Sequence, residues 1–488
     1  MEMRRVLFTD VLVNLVLHLV YNVFLHPLRS FPGPWYAKAG ILWLGVRAAK
    51  GDHWCAVHEL RLKYCPVVRI TPNELSFVDA RAWKDIYGHR PGGTELPKGL
   101  SQTFSSNPQH PSIVFAPLEQ HAKLRKLMSL GFSDAALRQQ EHVLNNYAIK
   151  LVDGLKSQGH EPVDITKWFN FATFDMNGHL AFAESFNCLS SSTYHPWVSK
   201  MLSTVKFVTW TRILGRVAPR SLQILLRFLP ERVRREHAET WEMAKLKVLR
   251  RRDCNIKYTD LMTNLIEAEK DGLLYLDDLT SNAPILVLAG SETTATSLSG
   301  TTYYLLKHPA AYSRLVEEIR SNIKSHADIS LSTTSQLPYL TAVIEESLRM
   351  YSPANSNHPR VTPVEGAVIC DRFVPGNTLV GIPHYVCFRS PTNFTDPDQF
   401  IPERSLKENS RYAGDKKEAS QSFHLGPRNC IGRNLAMIEM RLILAHLLLA
   451  FDIELAPESE RWENQQVLTT WIKGPPLVHL KPRKNSVP

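Results

Sequence analysis

The sequence predicts a mainly α-helical fold with small β-sheets, and three observations carry that expectation. Residues 432–451 are apolar nearly all round and follow a loop punctuated by glycine and proline, the pattern of a helix sunk in a core. Residues 279–306 hold a second long helical pattern. Strand signals are few and short: 67–70 and 74–78 read as a hairpin around Thr71-Pro72-Asn73, with further extended pieces at 379–383 and 477–480.

The chain has 488 residues, 44% of them hydrophobic and 21% charged, without a Gly/Ser/Pro-rich linker, an internal repeat or a sustained low-complexity tract. One large domain, residues 35–488, behind an N-terminal anchor and a hinge is the simplest organisation. Residues 6–25 are largely apolar and match the roughly 20 residues that cross a bilayer. Asp10, Asn14 and His18 interrupt them, and a charge near a helix centre costs about 2.5–3.5 kcal/mol on insertion, although Asp10 lies near one end. No small-residue cleavage site follows, which argues against a removed signal peptide. Instead comes His26-Pro27-Leu28-Arg29-Ser30-Phe31-Pro32-Gly33-Pro34, whose prolines stiffen the backbone. A membrane anchor at 1–25 and a hinge at 26–34 are therefore expected. Charge does not fix the anchor's orientation, because Arg4 and Arg5 precede it and Arg29, Lys38 and Arg47 follow.

Along the body, His121 and Arg125 share a helical face at i,i+4, and Arg360 follows Pro359. Within the 279–306 helix lies Ala289-Gly290-Ser291-Glu292-Thr293-Thr294. A glycine there costs about 1 kcal/mol against alanine, and a threonine hydroxyl can draw a carbonyl out of the ladder, so a local distortion is expected. Glu346 and Arg349 stand three apart in Ile344-Glu345-Glu346-Ser347-Leu348-Arg349, a spacing that alone means only an exposed pair of about 0.2–0.5 kcal/mol. Downstream, Phe400-Ile401-Pro402-Glu403-Arg404 supplies another arginine, and the polar run 407–421 reads as a surface meander. It leads into Phe423-His424-Leu425-Gly426-Pro427-Arg428-Asn429-Cys430-Ile431-Gly432. A lone cysteine is usually a small buried hydrophobe. At the mouth of a helix, however, partial positive charge and free N–H groups lower a thiol pKa and steady an anionic sulfur, which suits a metal ligand.

The Cys430 loop resembles the haem-binding signature of the cytochrome P450 superfamily at Phe423, Gly426, Arg428, Cys430 and Gly432, with His424 where that family more often has a small residue. The resemblance runs from the hinge to the C-terminal strands and is nearest to microsomal, fungal members that decorate terpenoid, polyketide or alkaloid skeletons. It implies the P450 fold, with haem b between a long distal helix and the helix after the cysteine loop, and Cys430 as axial thiolate to the iron. Gly432 would let the backbone approach the macrocycle, and Phe423 would pack beside it. Arg125, Arg360, Arg428 and His121 would hold the propionates, His121 standing where some members have tryptophan. Glu346, Arg349 and Arg404 would form the buttressing Glu-Arg-Arg triad, with Ser405 where an aromatic is common. Thr293 and Glu292 would deliver the two protons that dioxygen must take up before its O–O bond breaks. Substrate contacts would come from residues 98–115, the mid-chain helices and the Thr469-Thr470-Trp471 turn.

The resemblance thus implies a monooxygenase that uses O2 and electrons from NADPH to hydroxylate or epoxidise a lipophilic small molecule. No GxGxxG fingerprint occurs, so the NADPH-cytochrome P450 reductase would be a separate chain, with cytochrome b5 as a second electron donor. It further implies an endoplasmic reticulum membrane location with the catalytic domain cytosolic. A haem-thiolate isomerase or dehydratase, and a non-catalytic haem sensor, would also keep Cys430, but have little use for Glu292 and Thr293. The net charge of +10 is dispersed, with no zinc-finger spacing or arginine-rich arm, which excludes a nucleic-acid reading and fits an anionic membrane and an acidic electron donor. Seven widely spaced cysteines without a CxxC pair suggest neither a disulfide framework nor a zinc site.

Overall fold

The computed structural model describes residues 2–64, 66–90, 94–99, 107–159, 161–217, 231–256, 258–355, 357–406, 409–468 and 470–483. Its axis is the 32-residue helix Leu276–Lys307, slightly longer than the sequence pattern predicts. Asp277 and Asp278 occupy its first turn, where acids favour the dipole, and Asp278 Oδ2 accepts the Tyr275 N–H at 2.9 Å. This central helix packs most extensively along Ile165–Phe182, a helix buried on nearly every side and started by Asp164, whose side chain accepts the Lys167 N–H at 3.1 Å. Helices Glu141–Lys156, Pro338–Met350 and Arg433–Ala450 complete the main core. Arg433–Ala450 starts at Gly432 and gives way at Phe451 to a strand, close to the expected limits.

A second, smaller core surrounds a four-stranded sheet. The hairpin appears as Val67–Thr71 and Glu74–Phe77, antiparallel with Val67 opposite Phe77. Leu379–Gly381 adds in parallel beside Glu74–Phe77, and Arg360–Val361 closes the order. Leu477–Pro482 pairs with both Phe451–Leu455 and Val163–Asp164, so the chain's last described strand ties the two ends of the helical core together. The Pro-rich segment is not free-standing, because Leu28 and Phe31 are buried in the sheet core and the Pro32 carbonyl accepts the Arg69 N–H at 2.8 Å.

The predicted transmembrane helix finds no support. Residues Glu2–Val20 form a helix, but no helix among the described residues is long and apolar enough to cross a membrane. The polar Asp10, Asn14 and His18 lower the apolar content of the predicted transmembrane helix, and the α-helical run ends at Val20 in a π-helical turn, Tyr21–Leu25. Through Gly290-Ser291-Glu292-Thr293-Thr294, where a local distortion is expected, helical hydrogen bonding continues. Neighbouring packing against Ile165–Phe182 outweighs the propensity cost.

Candidate active site

The cysteine loop is a set of short turns that leave one sulfur at a helix mouth. The His424 N–H donates to the Gln421 carbonyl at 2.8 Å, Asn429 to Gly426 at 3.0 Å, and Cys430 to Phe423 at 2.8 Å. Gly426 has φ +81°, and a Cβ there would lie 1.8 Å from the Tyr87 carbonyl, so no other residue fits. His424 is also left-handed, at φ 63°, and its ring lies against Tyr87 and Trp83, 4.2 and 5.2 Å between centroids. That contact explains why an imidazole replaces a small residue here. Arg433 lies over the Phe423 ring at 5.8 Å.

Cys430 is exposed to solvent on one side, while protein atoms surround its sulfur on the other. Burial pushes its thiol above the usual range, against the lowering effects of the Gly432 N–H, Arg125 and Arg433. The sequence expectation of a lowered thiol pKa is therefore corrected: the helix mouth helps, but burial wins. A metal ion would supply the missing stabilisation of the thiolate.

Behind the loop, Glu346 accepts Arg349 through Nε at 2.8 Å and Nη2 at 2.7 Å, and Arg404 Nε at 3.1 Å. All three side chains are buried, and Arg349 spends its remaining donors on the Phe388, Pro397 and Gln399 carbonyls. Arg404 reaches Asp415 Oδ2 at 2.5 Å and the Thr395 and Asp396 carbonyls. The network is charge-balanced and saturated, as a buried ion cluster must be to offset desolvation. The aromatic missing at Ser405 is replaced from elsewhere in the chain, with Phe394 and Tyr412 flanking Arg404 at 5.9 and 4.8 Å.

The four residues expected around the propionates converge. His121 is buried on the helix Leu118–Gly131 and is pushed down to about 3, by burial first and then by Arg428, Lys98, Arg125 and Arg360. Burial and the neighbouring cations thus disfavour its protonated form. Arg125 Nη1 donates to the Asn429 carbonyl at 2.6 Å, and its Nη2 to the Asn429 side chain. Arg428 pairs with Glu95 at 2.7 Å and donates to the Ala116 carbonyl at 3.0 Å. Arg360 donates to the His358 carbonyl at 3.0 Å, over the Tyr87 ring.

These residues fit a haem. Arg125, Arg360, Arg428 and Lys98 gather around His121 against the carboxylate of Glu95, an excess of buried positive charge that two propionates would offset. A Cβ at Gly432 would meet no protein atom closer than Phe132 at 3.5 Å, so packing within the chain does not require this glycine, whereas a flat group on the loop would.

On the central helix the Thr293 hydroxyl donates to the Ala289 carbonyl at 2.6 Å, the local carbonyl capture expected of it. Glu292 beside it is paired with Lys473 at 2.7 Å. Gly290 is required by close approach, since a Cβ would lie 2.3 Å from Asn177 Oδ1. Asn177 donates in turn to Glu439 Oε1 at 3.1 Å. Glu95, Lys98, Asp415, Lys473 and Glu439 were not legible as partners. All but Asp415, 11 residues from Arg404, sit far in sequence from the group they touch, and only Glu439 carried a signal, as the lone acid of the helix Arg433–Ala450. Of the expected substrate segments, residues 100–106 and Thr469 lie outside the described residues, as do 407–408 of the meander and Cys65.

The family model for cytochrome P450 matches residues 30–480. The chain is 40% identical over 465 residues to the cytochrome P450 monooxygenase astA of Talaromyces wortmannii, covering 95% of this chain and 94% of that protein. It is 42% identical over 467 residues to the cytochrome P450 monooxygenase cpaH of Aspergillus oryzae, covering 95% and 91%. Against the trichothecene C-15 hydroxylase of Fusarium sporotrichioides it is 40% identical over 479 residues, covering 97% and 96%. With a cysteine loop, a saturated Glu-Arg-Arg network and a cationic propionate cradle already assembled by the fold, the chain belongs to the cytochrome P450 family.

Proposed function

We propose that this protein is a haem-thiolate monooxygenase of fungal secondary-metabolite biosynthesis, which hydroxylates or epoxidises a lipophilic small molecule. The observation that carries this reading is the Glu292/Thr293 pair, intact on the central helix with the carboxylate held by Lys473. An isomerase, a dehydratase or a haem sensor has no use for a distal acid and hydroxyl. When bound, the haem would supply dioxygen activation with two electrons, Cys430 would hold it through its sulfur, and O2 would be the co-substrate. The overall balance is RH + O2 + NADPH + H+ giving ROH + H2O + NADP+. Glu292 and Thr293 bring the protons that leave as water, Thr293 through its Oγ1 and Glu292 through its carboxyl group. Arg125, Arg360, Arg428 and His121 would hold the propionates, and the Glu346, Arg349 and Arg404 network ties together the backbone of Phe388 to Ile401 that precedes the cysteine loop.

A separate NADPH-cytochrome P450 reductase supplies the electrons, with cytochrome b5 as a second donor. Beside the cysteine loop a cleft of about 1030 Å³ is lined by Phe423 and by the basic Arg138, Lys417, Arg433 and Arg441, with Asp134, Glu141 and Glu345 among its acids. That basic excess suits an acidic partner.

The same reading places the protein on the endoplasmic reticulum membrane with its catalytic body in the cytosol. Leu12, Leu15, Leu17, Phe24 and Leu25 are exposed, and Trp35 and Leu42 extend this apolar surface. Fractionated microsomes check it: the protein is expected in the membrane pellet after a high-salt wash, and release by salt alone contradicts the apolar attachment.

The central test is Thr293→Ala in enzyme reconstituted with the reductase. The variant is expected to keep its haem-thiolate spectrum and NADPH consumption, while product per NADPH falls at least about tenfold and hydrogen peroxide rises in proportion. Product formation as tightly coupled as in the parent would overturn the proton-delivery reading.

A further inference from the structure

Glu292 is not a solvated acid. Its carboxylate and the Lys473 ammonium, 12% and 7% exposed, meet at 2.7 Å. Lys473 also donates to Thr296 Oγ1 at 2.6 Å, and that hydroxyl donates to the Glu292 carbonyl at 2.7 Å. One ammonium therefore grips both the acid and the helix turn that carries it. It comes from the far end of the chain, directly after the strand Trp471–Ile472, which pairs with Gln466–Val467.

The strand that carries Lys473 is itself anchored to the central helix. Trp471 stacks on Tyr351 at 4.5 Å and donates its indole N–H to the Ser352 carbonyl at 2.8 Å. The Tyr351 ring fills the notch of Gly300, where a Cβ would lie 2.5 Å from Cδ1. The hairpin is thus fixed at two points, Gly300 through Tyr351 and Glu292 through Lys473. Two phenols, Tyr194 and Tyr351, face Glu292 as well, but Lys473 is the cation paired with it.

We propose that Lys473 is a positioning residue for proton delivery. It keeps the Glu292 carboxyl group directed and compensated next to Thr293, so that a buried acid serves the distal side without a standing desolvation cost. This inference rests on the reading of Glu292 as the distal acid. It adds a role for a residue contributed by the C-terminal hairpin, and it makes the acid's placement depend on where that hairpin sits.

The experiment uses the holoenzyme with its reductase and compares Lys473→Met, Lys473→Arg and Glu292→Gln. Lys473→Met is expected to retain the haem-thiolate spectrum yet lose about tenfold in product per NADPH, a small part of the about 10²–10⁴ that a positioned proton donor supplies. Its solvent deuterium isotope effect on product formation should rise, and Lys473→Arg should recover at least half of the lost coupling. Parental coupling in Lys473→Met would overturn the proposal, as would equal impairment of the Met and Arg variants with an unchanged isotope effect, which is the signature of a merely structural tie. Glu292→Gln alone reports on the underlying reading. If it couples like the parent, the distal-acid assignment fails; if it uncouples while Lys473→Met does not, only the role of Lys473 fails.

Discussion

Cys430→Ala is expected to abolish turnover and the haem-thiolate absorption signature together, because no second sulfur stands in the loop that Phe423 and Gly426 shape around this one. The effect follows from balance rather than from mere removal of a contact. Burial raises the free thiol, and Arg125, Arg433 and the Gly432 N–H only partly oppose it, so ligand and metal stabilise one another. Taking away the sulfur removes the site's one anionic donor and leaves the propionate cradle to hold haem unaided. Cys430→His separates ligation from folding: an imidazole can bind haem iron, but the thiolate-specific signature and turnover should both vanish. Cys254→Ala, on an exposed cysteine elsewhere, is the control and should retain both. A thiolate signature surviving in either Cys430 variant would mean that another cysteine ligates the iron.

What could be read from the sequence, and what could not, divides along physical lines. The hairpin at Val67–Thr71 and Glu74–Phe77, the central helix and the helix from Arg433 were legible because apolar periodicity and turn residues are local signals. The cysteine loop and the Glu346, Arg349 and Arg404 set were legible because their order and spacing are distinctive. Long-range partners left no such trace. Asp415 completes the triad's charge, Glu95 occupies part of Arg428, and Lys98 joins the cradle, yet each lies in a loop whose local pattern says only that it is polar. For His121, helical spacing reports the face shared with Arg125 but not its burial among arginines, which disfavours the charged form. At the N-terminus, a count of apolar residues over 6–25 likewise passes over the weight of Asp10, Asn14 and His18 on the mean hydropathy of the helix that forms. At Gly290 the helix runs on as expected, and the space a side chain would need is filled by Asn177.

Glu439→Gln should stabilise the haem-loaded protein, and by an amount that grows with pH. Glu439 is 1% exposed between the central helix and Ile165–Phe182, and burial pushes its carboxyl up to about 8 despite hydrogen bonds from Thr294 and Asn177. Its Oε2 and the Oδ1 of Asn177 have no partner among the described residues, so a charge on this carboxyl is left without compensation there. The folded-state pKa lies above the unfolded value of 4.5, which fixes the sign. Below about pH 4.5 the carboxyl is neutral in both states and the fold bears no penalty. As pH rises, the unfolded chain ionises first and is favoured, and this loss accumulates until the folded group also ionises near pH 8. Glutamine keeps the shape of the neutral carboxyl and cannot ionise. Its advantage should therefore be small at about pH 5 and reach a few kcal/mol near pH 8, read as a Tm several degrees above the parent's. A Tm difference that stays constant across that range would show that Glu439 is ionised in the folded protein, stabilised by a group other than Asn177 and Thr294. The same experiment bears on catalysis: an acid that remains neutral near pH 7 beneath Gly290 leaves Glu292, not Glu439, as the carboxylate next to Thr293, so Glu439→Gln should keep the coupling that Thr293→Ala loses.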